Sequence, residues 1–182
     1  MLLADRGAAR SIVSYKQDED KILKLDSTKL LAQAGPIGDR NHFGEFVQKN
    51  IALYNLRTGL TLNTWATASW VRNQLAEALR KGPYQVSILL GGYDTQGDKK
   101  GPHLYYMDYL GSMVPVNTGA HGYASNFTYG ILDRHWHENI TVDEAKLLLQ
   151  KCIDELHTRF LIHMPQFMVK IIDKNGIKEI QL

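Results

Sequence analysis

The spacing of apolar positions along the chain changes several times, and each change marks an element. Ala8 to Lys16 is a short β-compatible run, and Asp18-Glu19-Asp20 then reads as a turn. Ile22 to Leu25 and Lys29 to Ala34 are predicted as further strands, divided by Asp26-Ser27 and stopped by Gly35-Pro36. The period then becomes helical. Phe43, Phe46, Val47, Ile51 and Tyr54 recur on one face, with Gly59 placed to end the helix. Ala68, Val71, Leu75, Ala78 and Leu79 form a second stripe that Gly82-Pro83 closes. So short a connection predicts two antiparallel helices in one layer.

Strand signals return with Tyr84 to Leu90, which ends in Gly91-Gly92-Tyr93-Asp94 and a polar loop from Thr95 to Pro102. Leu104 to Tyr109 and Met113 to Val116 flank a tight turn at Gly111-Ser112, so the pairing is predicted to be antiparallel. Asn126 to His135 is read as a helix. Thr141 and Glu144 have the spacing of a capping box, opening a helix whose face Val142, Ala145, Leu148, Leu149, Cys152, Ile153 and Leu156 is expected to be buried. Asn175-Gly176 between Phe167–Ile172 and Ile177–Ile180 is a strong hairpin signal. Helix pairs between groups of hairpins argue against an alternating parallel sheet. They predict an α+β fold: a four-layer αββα sandwich, two antiparallel sheets flanked by helix pairs, in a single domain over residues 1–182.

Composition narrows the function. The 182 residues are 44% apolar, enough for one substantial core. Lys and Arg number 21 against 19 acidic residues, and this near balance carries no electrostatic footprint for nucleic acid. No apolar run approaches the roughly 20 residues needed to span a bilayer, so no membrane partner is expected. The start of the chain has no long apolar region of the signal-peptide kind, and the single cysteine, Cys152, excludes an internal disulfide. Its apolar helical neighbours predict a buried, inert thiol.

Motifs that carry chemistry are scarce. His135-x-His137-Glu138 places its histidines two apart, on different helix faces, and no third ligand is evident, so no metal is expected. The glycines around Gly119-Ala120-His121-Gly122 match neither a phosphate loop nor a dinucleotide fingerprint, and no cofactor is expected. The tyrosines Tyr105, Tyr106 and Tyr109 read as sheet-packing residues.

Several longer segments carry a family likeness. GGYD at Gly91 to Asp94, LYYMDYLG at Leu104 to Gly111, GAHGY at Gly119 to Tyr123 and LDRHW at Leu132 to Trp136 follow one another in the order of a proteasome β subunit. EFVQKNIALYNLR at Glu45 to Arg57 and VKIIDKNGI at Val169 to Ile177 extend the resemblance over nearly the whole chain. It is nearest to the kind of subunit at the fourth position of the eukaryotic β ring. The resemblance implies the αββα sandwich of the N-terminal-nucleophile hydrolases. It also implies a hetero-oligomer, with neighbouring β subunits and the α ring as partners, located in cytoplasm and nucleus.

Active members of that family use an N-terminal threonine whose hydroxyl attacks and whose amine takes the proton. By resemblance, Asp5 and Lys21 match the aspartate and lysine of that site. The serine of the glycine-rich segment falls at His121, and the late Asp-x-x-Ser-Gly motif falls on Leu161, Met164 and Pro165. Asp5 and Lys21 are therefore expected to be relics or a structural ion pair. The opening strand of the family's first hairpin is expected ahead of Asp5 and does not appear here. The resemblance thus implies a non-catalytic structural subunit that contributes to ATP- and ubiquitin-dependent protein degradation by the assembled particle. A threonine peptidase matured from a longer precursor and a free-standing adaptor of the same fold are the alternatives. Phe127, Tyr129 and Trp136, with the loop Thr95 to Pro102, are the predicted contact surface.

Overall fold

The computed structural model describes residues 1–10, 13–97, 100–162 and 164–182. Its largest sheet has five antiparallel strands, in the order β4 (Ile22–Lys24), β5 (Lys29–Ala34), β6 (Ser87–Asp94), β7 (Gly101–Met107) and β8 (Met113–Pro115). A smaller sheet places β9 (Phe167–Asp173) between β1 (Leu2–Asp5) and β10 (Gly176–Ile180), again antiparallel. The run Ala8 to Lys16 is a separate ribbon of two strands, β2 (Ala8–Arg10) and β3 (Val13–Lys16); Ile12 lies outside the described residues.

Two helices cover the outer face of the large sheet. α1 (Ile37–Thr58) starts directly after Pro36 and ends at Gly59, whose φ of 69° lets its N–H close on the carbonyl of Asn55. It begins earlier than the stripe from Phe43 predicted, because its first turn buries a charged residue, Arg40, in place of an apolar one. α2 (Thr64–Ala78) is capped by Asn63, whose side chain accepts from the Ala66 N–H. Phe43, Val47, Ile51, Val71 and Leu75 pack on Leu31, Ile88, Leu90 and Met107 of the sheet.

The opposite face of β5 meets the small sheet, where Leu30 and Ile22 pack with Leu2 and Met168. Adjacent residues Leu30 and Leu31 thus serve different cores, as a strand buried on both faces requires. The fourth layer is α3 (Ser125–His135) and α4 (Val142–Arg159), joined through Leu132, Leu148 and Cys152. The His157 ring meets Phe167 of β9 edge-on, with centroids 5.7 Å apart, which sets α4 over the small sheet. The four-layer αββα arrangement is the predicted one, and the Thr141–Glu144 capping box forms with both of its hydrogen bonds.

Three local expectations change. Gly91 and Gly92 do not end their strand: they pair with β5 and β7 inside it. The reason is α2, since a Cβ on Gly92 would lie 2.2 Å from Thr64 Oγ1. The strand expected to reach Tyr109 stops at Met107, because Asp108 Oδ1 accepts the N–H groups of Leu110 and Ser112 and folds a turn. On α4, Val142 is exposed and Leu149 is half-buried, while Leu148, Cys152, Ile153 and Leu156 form the buried face.

Candidate functional site

Asp5 ends β1, and Lys21 immediately precedes β4. The Lys21 ammonium lies 2.9 and 2.8 Å from the two carboxylate oxygens of Asp5. Asp5 also accepts the N–H of Gly7 at 3.1 Å, which folds the chain leaving β1 back on itself. Both side chains are partly buried, so this is a closed charge-assisted pair that links the two sheets.

From Lys21 a row of backbone contacts crosses the large sheet. The Lys21 carbonyl accepts from Gln33 at 3.0 Å, Gln33 pairs with Ile88, and Ile88 pairs with Met107. His121 stands on this row. Its Nε2–H donates to the Ile88 carbonyl at 3.0 Å, and its ring stacks on Tyr106 with centroids 4.1 Å apart. Two strand spacings, about 10 Å, therefore separate Lys21 from the Ile88 carbonyl that holds His121. Burial pushes the His121 pKa down from its ordinary value, outweighing the Ile88 hydrogen bond and the charge of Asp108. A neutral imidazole fixed in this way fills a place where the resemblance implies a hydroxyl.

Met164 lies beside the same end of the fold. Arg6, next to Asp5, donates its N–H to the Gln166 carbonyl, and Asp5 pairs with Phe167. The Met164 carbonyl accepts from His157 Nε2 at 3.0 Å. Leu161 does not join this group: it is 97% exposed and turned to solvent. Asp5 and Lys21 thus meet directly, His121 stands along the same row, Met164 lies two residues before the Gln166 that meets Arg6, and Leu161 faces outward.

Elsewhere, Cys152 is buried and its thiol pKa is pushed up to about 11 by burial alone. His135 and His137 are both exposed, with His137 Nε2 3.9 Å from Glu144. Among the described residues, no three His, Cys, Asp or Glu side chains are grouped to hold a metal ion. Of the aromatics expected to form a contact surface, Tyr129 is exposed and bonds Ala120 through its hydroxyl. Phe127 and Trp136 are only half-exposed, and Phe127 turns onto Phe160 at 5.7 Å. Of the loop Thr95 to Pro102, Asp98 and Lys99 lie outside the described residues, and Gly101 and Pro102 belong to β7.

Comparison with known proteins decides the family. A family model described as Proteasome subunit matches residues 1–172. The chain belongs to the proteasome subunit family. Proteasome subunit beta type-2-A of Arabidopsis thaliana is 46% identical over 179 residues, which cover 98% of this chain and 86% of that protein. Proteasome subunit beta type-2 of Dictyostelium discoideum is 45% identical over 178 residues, 98% of this chain and 89% of the relative. Proteasome subunit beta type-4 of Saccharomyces cerevisiae is 39% identical over 181 residues, covering 99% and 90%. This proteasome chain is accordingly a β subunit of the core, as the resemblance implied, and it assembles with other proteasome subunits.

Proposed function

We propose that this subunit carries out no peptide hydrolysis itself and serves the proteasome core as a structural member of the β ring. The observation that carries the reading is the filling of the site-like end of the fold. A neutral His121 is stacked on Tyr106 where the family's active members place a serine. At the positions that match those members' late polar motif the chain carries Met164 and a solvent-facing Leu161, and neither side chain can relay a proton. Asp5 and Lys21 hold each other, and their role is to join the sheets.

The subunit's contribution is then to keep its neighbours in register and to wall the chamber in which the assembled particle degrades ubiquitin-marked proteins with the help of ATP. Neighbouring β subunits and the α ring are its partners, and cytoplasm and nucleus its location. Tyr123, Leu161 and Ile162, all exposed beside the half-exposed rings of Phe127 and Phe160, make an apolar face suited to a neighbouring subunit.

The test is a covalent threonine-directed probe applied to the purified particle, together with the Lys21→Met variant. The probe is expected to leave this chain unlabelled, and assembled Lys21→Met particles are expected to keep every peptidase activity. Stoichiometric labelling of the chain would overturn the reading. A native mass near that of one chain, instead of several hundred kilodaltons, would favour an adaptor outside the particle.

A further inference from the structure

The acidic turn before β4 does more than reverse the chain. Glu19, Asp20 and Lys21 are consecutive, and each is bonded to a different element. Glu19 is buried and accepts from Arg40 Nη2 of α1 at 2.9 Å, while Arg40 Nε also donates to the Gly35 carbonyl. Asp20 accepts from Lys170 Nζ of β9 at 2.5 Å. Lys21 takes both carboxylate oxygens of Asp5 at the end of β1. The backbone adds to this, since the Glu19 N–H donates to the Arg6 carbonyl at 2.9 Å.

Lys170 shows where the contact acts. Met168 and Ile172 lie in the core between the sheets, so Lys170, two residues from each, projects into the same seam. Its ammonium reaches the Ile22 carbonyl of β4 at 2.7 Å as well as Asp20. The seam has a small fully buried apolar set, Leu2, Ile22, Leu30 and Met168. The layer between the helices and the large sheet is far richer, with Leu31, Phe43, Val47, Val71, Leu75, Ile88 and Leu90 among its buried side chains. Apolar cohesion therefore holds the large sheet to its helices more strongly than it holds the small sheet to the large one.

We infer that residues 19–21 form a charged clasp that latches the three-stranded sheet to the rest of the fold, and that this sheet opens as its own cooperative unit when the clasp is released. Sub-global opening of this kind follows supersecondary units and is read by hydrogen exchange. The inference does not depend on whether the chain is catalytically silent, because the contacts join sheets and not substrate.

The experiment is hydrogen exchange on the assembled particle, following peptides of this subunit in the native form and in Lys170→Met, which keeps an unbranched side chain one atom shorter and removes the ammonium. Exchange over 167–180 and 1–5 is expected to rise about tenfold or more, the opening cost of one charge-assisted bond. Exchange over 29–34 and 87–94 is expected to stay unchanged. Asp20→Asn, which alters the more exposed partner, should shift the same peptides, and the double variant should add little to Lys170→Met alone. If Lys170→Met does not assemble, Asp20→Asn alone decides. Equal acceleration in both sheets, or none in either, would overturn the inference.

Discussion

His121 reaches from the turn before α3 to the carbonyl of Ile88 on β6, 3.0 Å away. The contact ties the Gly119–Gly122 segment to the centre of the large sheet, and Tyr129 ties the same segment to α3 through the Ala120 carbonyl at 2.9 Å. One turn is thereby held from both sides by aromatic side chains.

That bond has a consequence for pH. Burial holds the His121 pKa in the folded state below its ordinary value of 6.5, so folding favours the neutral ring. Its contribution to stability is complete above the unfolded value, falls as pH drops below it, and stops changing once pH passes the folded pKa. Among the described residues, Tyr106 stacks on the ring and Asp108 acts on its charge, and Asp108 opposes the shift. Thermal melting across this range is expected to show a steeper acid loss for the native chain than for His121→Gln. Parallel curves would count against the assignment.

Gly92 and Gly91 should differ sharply when substituted. A methyl group on Gly92 would strike Thr64 Oγ1, which Asp94 holds at 2.7 Å, so the neighbour cannot give way. Gly92→Ala is expected to cost about 1–3 kcal/mol of stability through overpacking. A methyl on Gly91 meets only Leu2 and Ile172 at ordinary contact distances, 3.6 and 3.7 Å, and Gly91→Ala should cost less. Denaturant midpoints of the two variants compare them directly.

On α4, Leu156 is 3% exposed whereas Leu149 is only half-buried. Leu156→Ala should cost about 2–5 kcal/mol, as a cavity in a closed layer does. Leu149→Ala should cost clearly less, although the helical stripe places both on one face. Thermal denaturation of the two variants gives the order, and equal losses would contradict it.

Cys152 should resist alkylation. With its pKa near 11 and its side chain buried, almost no thiolate is present or reachable near neutral pH. Iodoacetamide is expected to modify it only after denaturant is added, a result read by mass spectrometry of the intact chain. Rapid modification of the folded chain would show that α3 and α4 part readily.

What the sequence determined alone is the series of elements and their local chemistry. Helical and strand periods, the Thr141–Glu144 cap and the apolar surroundings of Cys152 all depend on residues a few positions apart. The Asn175-Gly176 signal located its hairpin within one residue: the turn is Lys174-Asn175, and Gly176 opens β10 with a φ of 106°. The family could be read in the same way, from ordered segments.

Tertiary structure decided what distant residues do to one another. Gly91 and Gly92 look like a strand end until α2 is placed over them, bringing Thr64 against Gly92. Asp18-Glu19-Asp20 looks like a solvated turn, yet Glu19 is buried against Arg40 and Asp20 meets Lys170 from the far end of the chain. A periodic pattern says which residues share a helix face but not where the covering layer stops, so Val142 and Leu149 were indistinguishable from Leu156. The same limit applied to Asp5 and Lys21. Their identities suggested a pair, but only the meeting of β1 with the start of β4 closes it, because long-range approach is set by how whole layers pack and leaves no mark on local spacing.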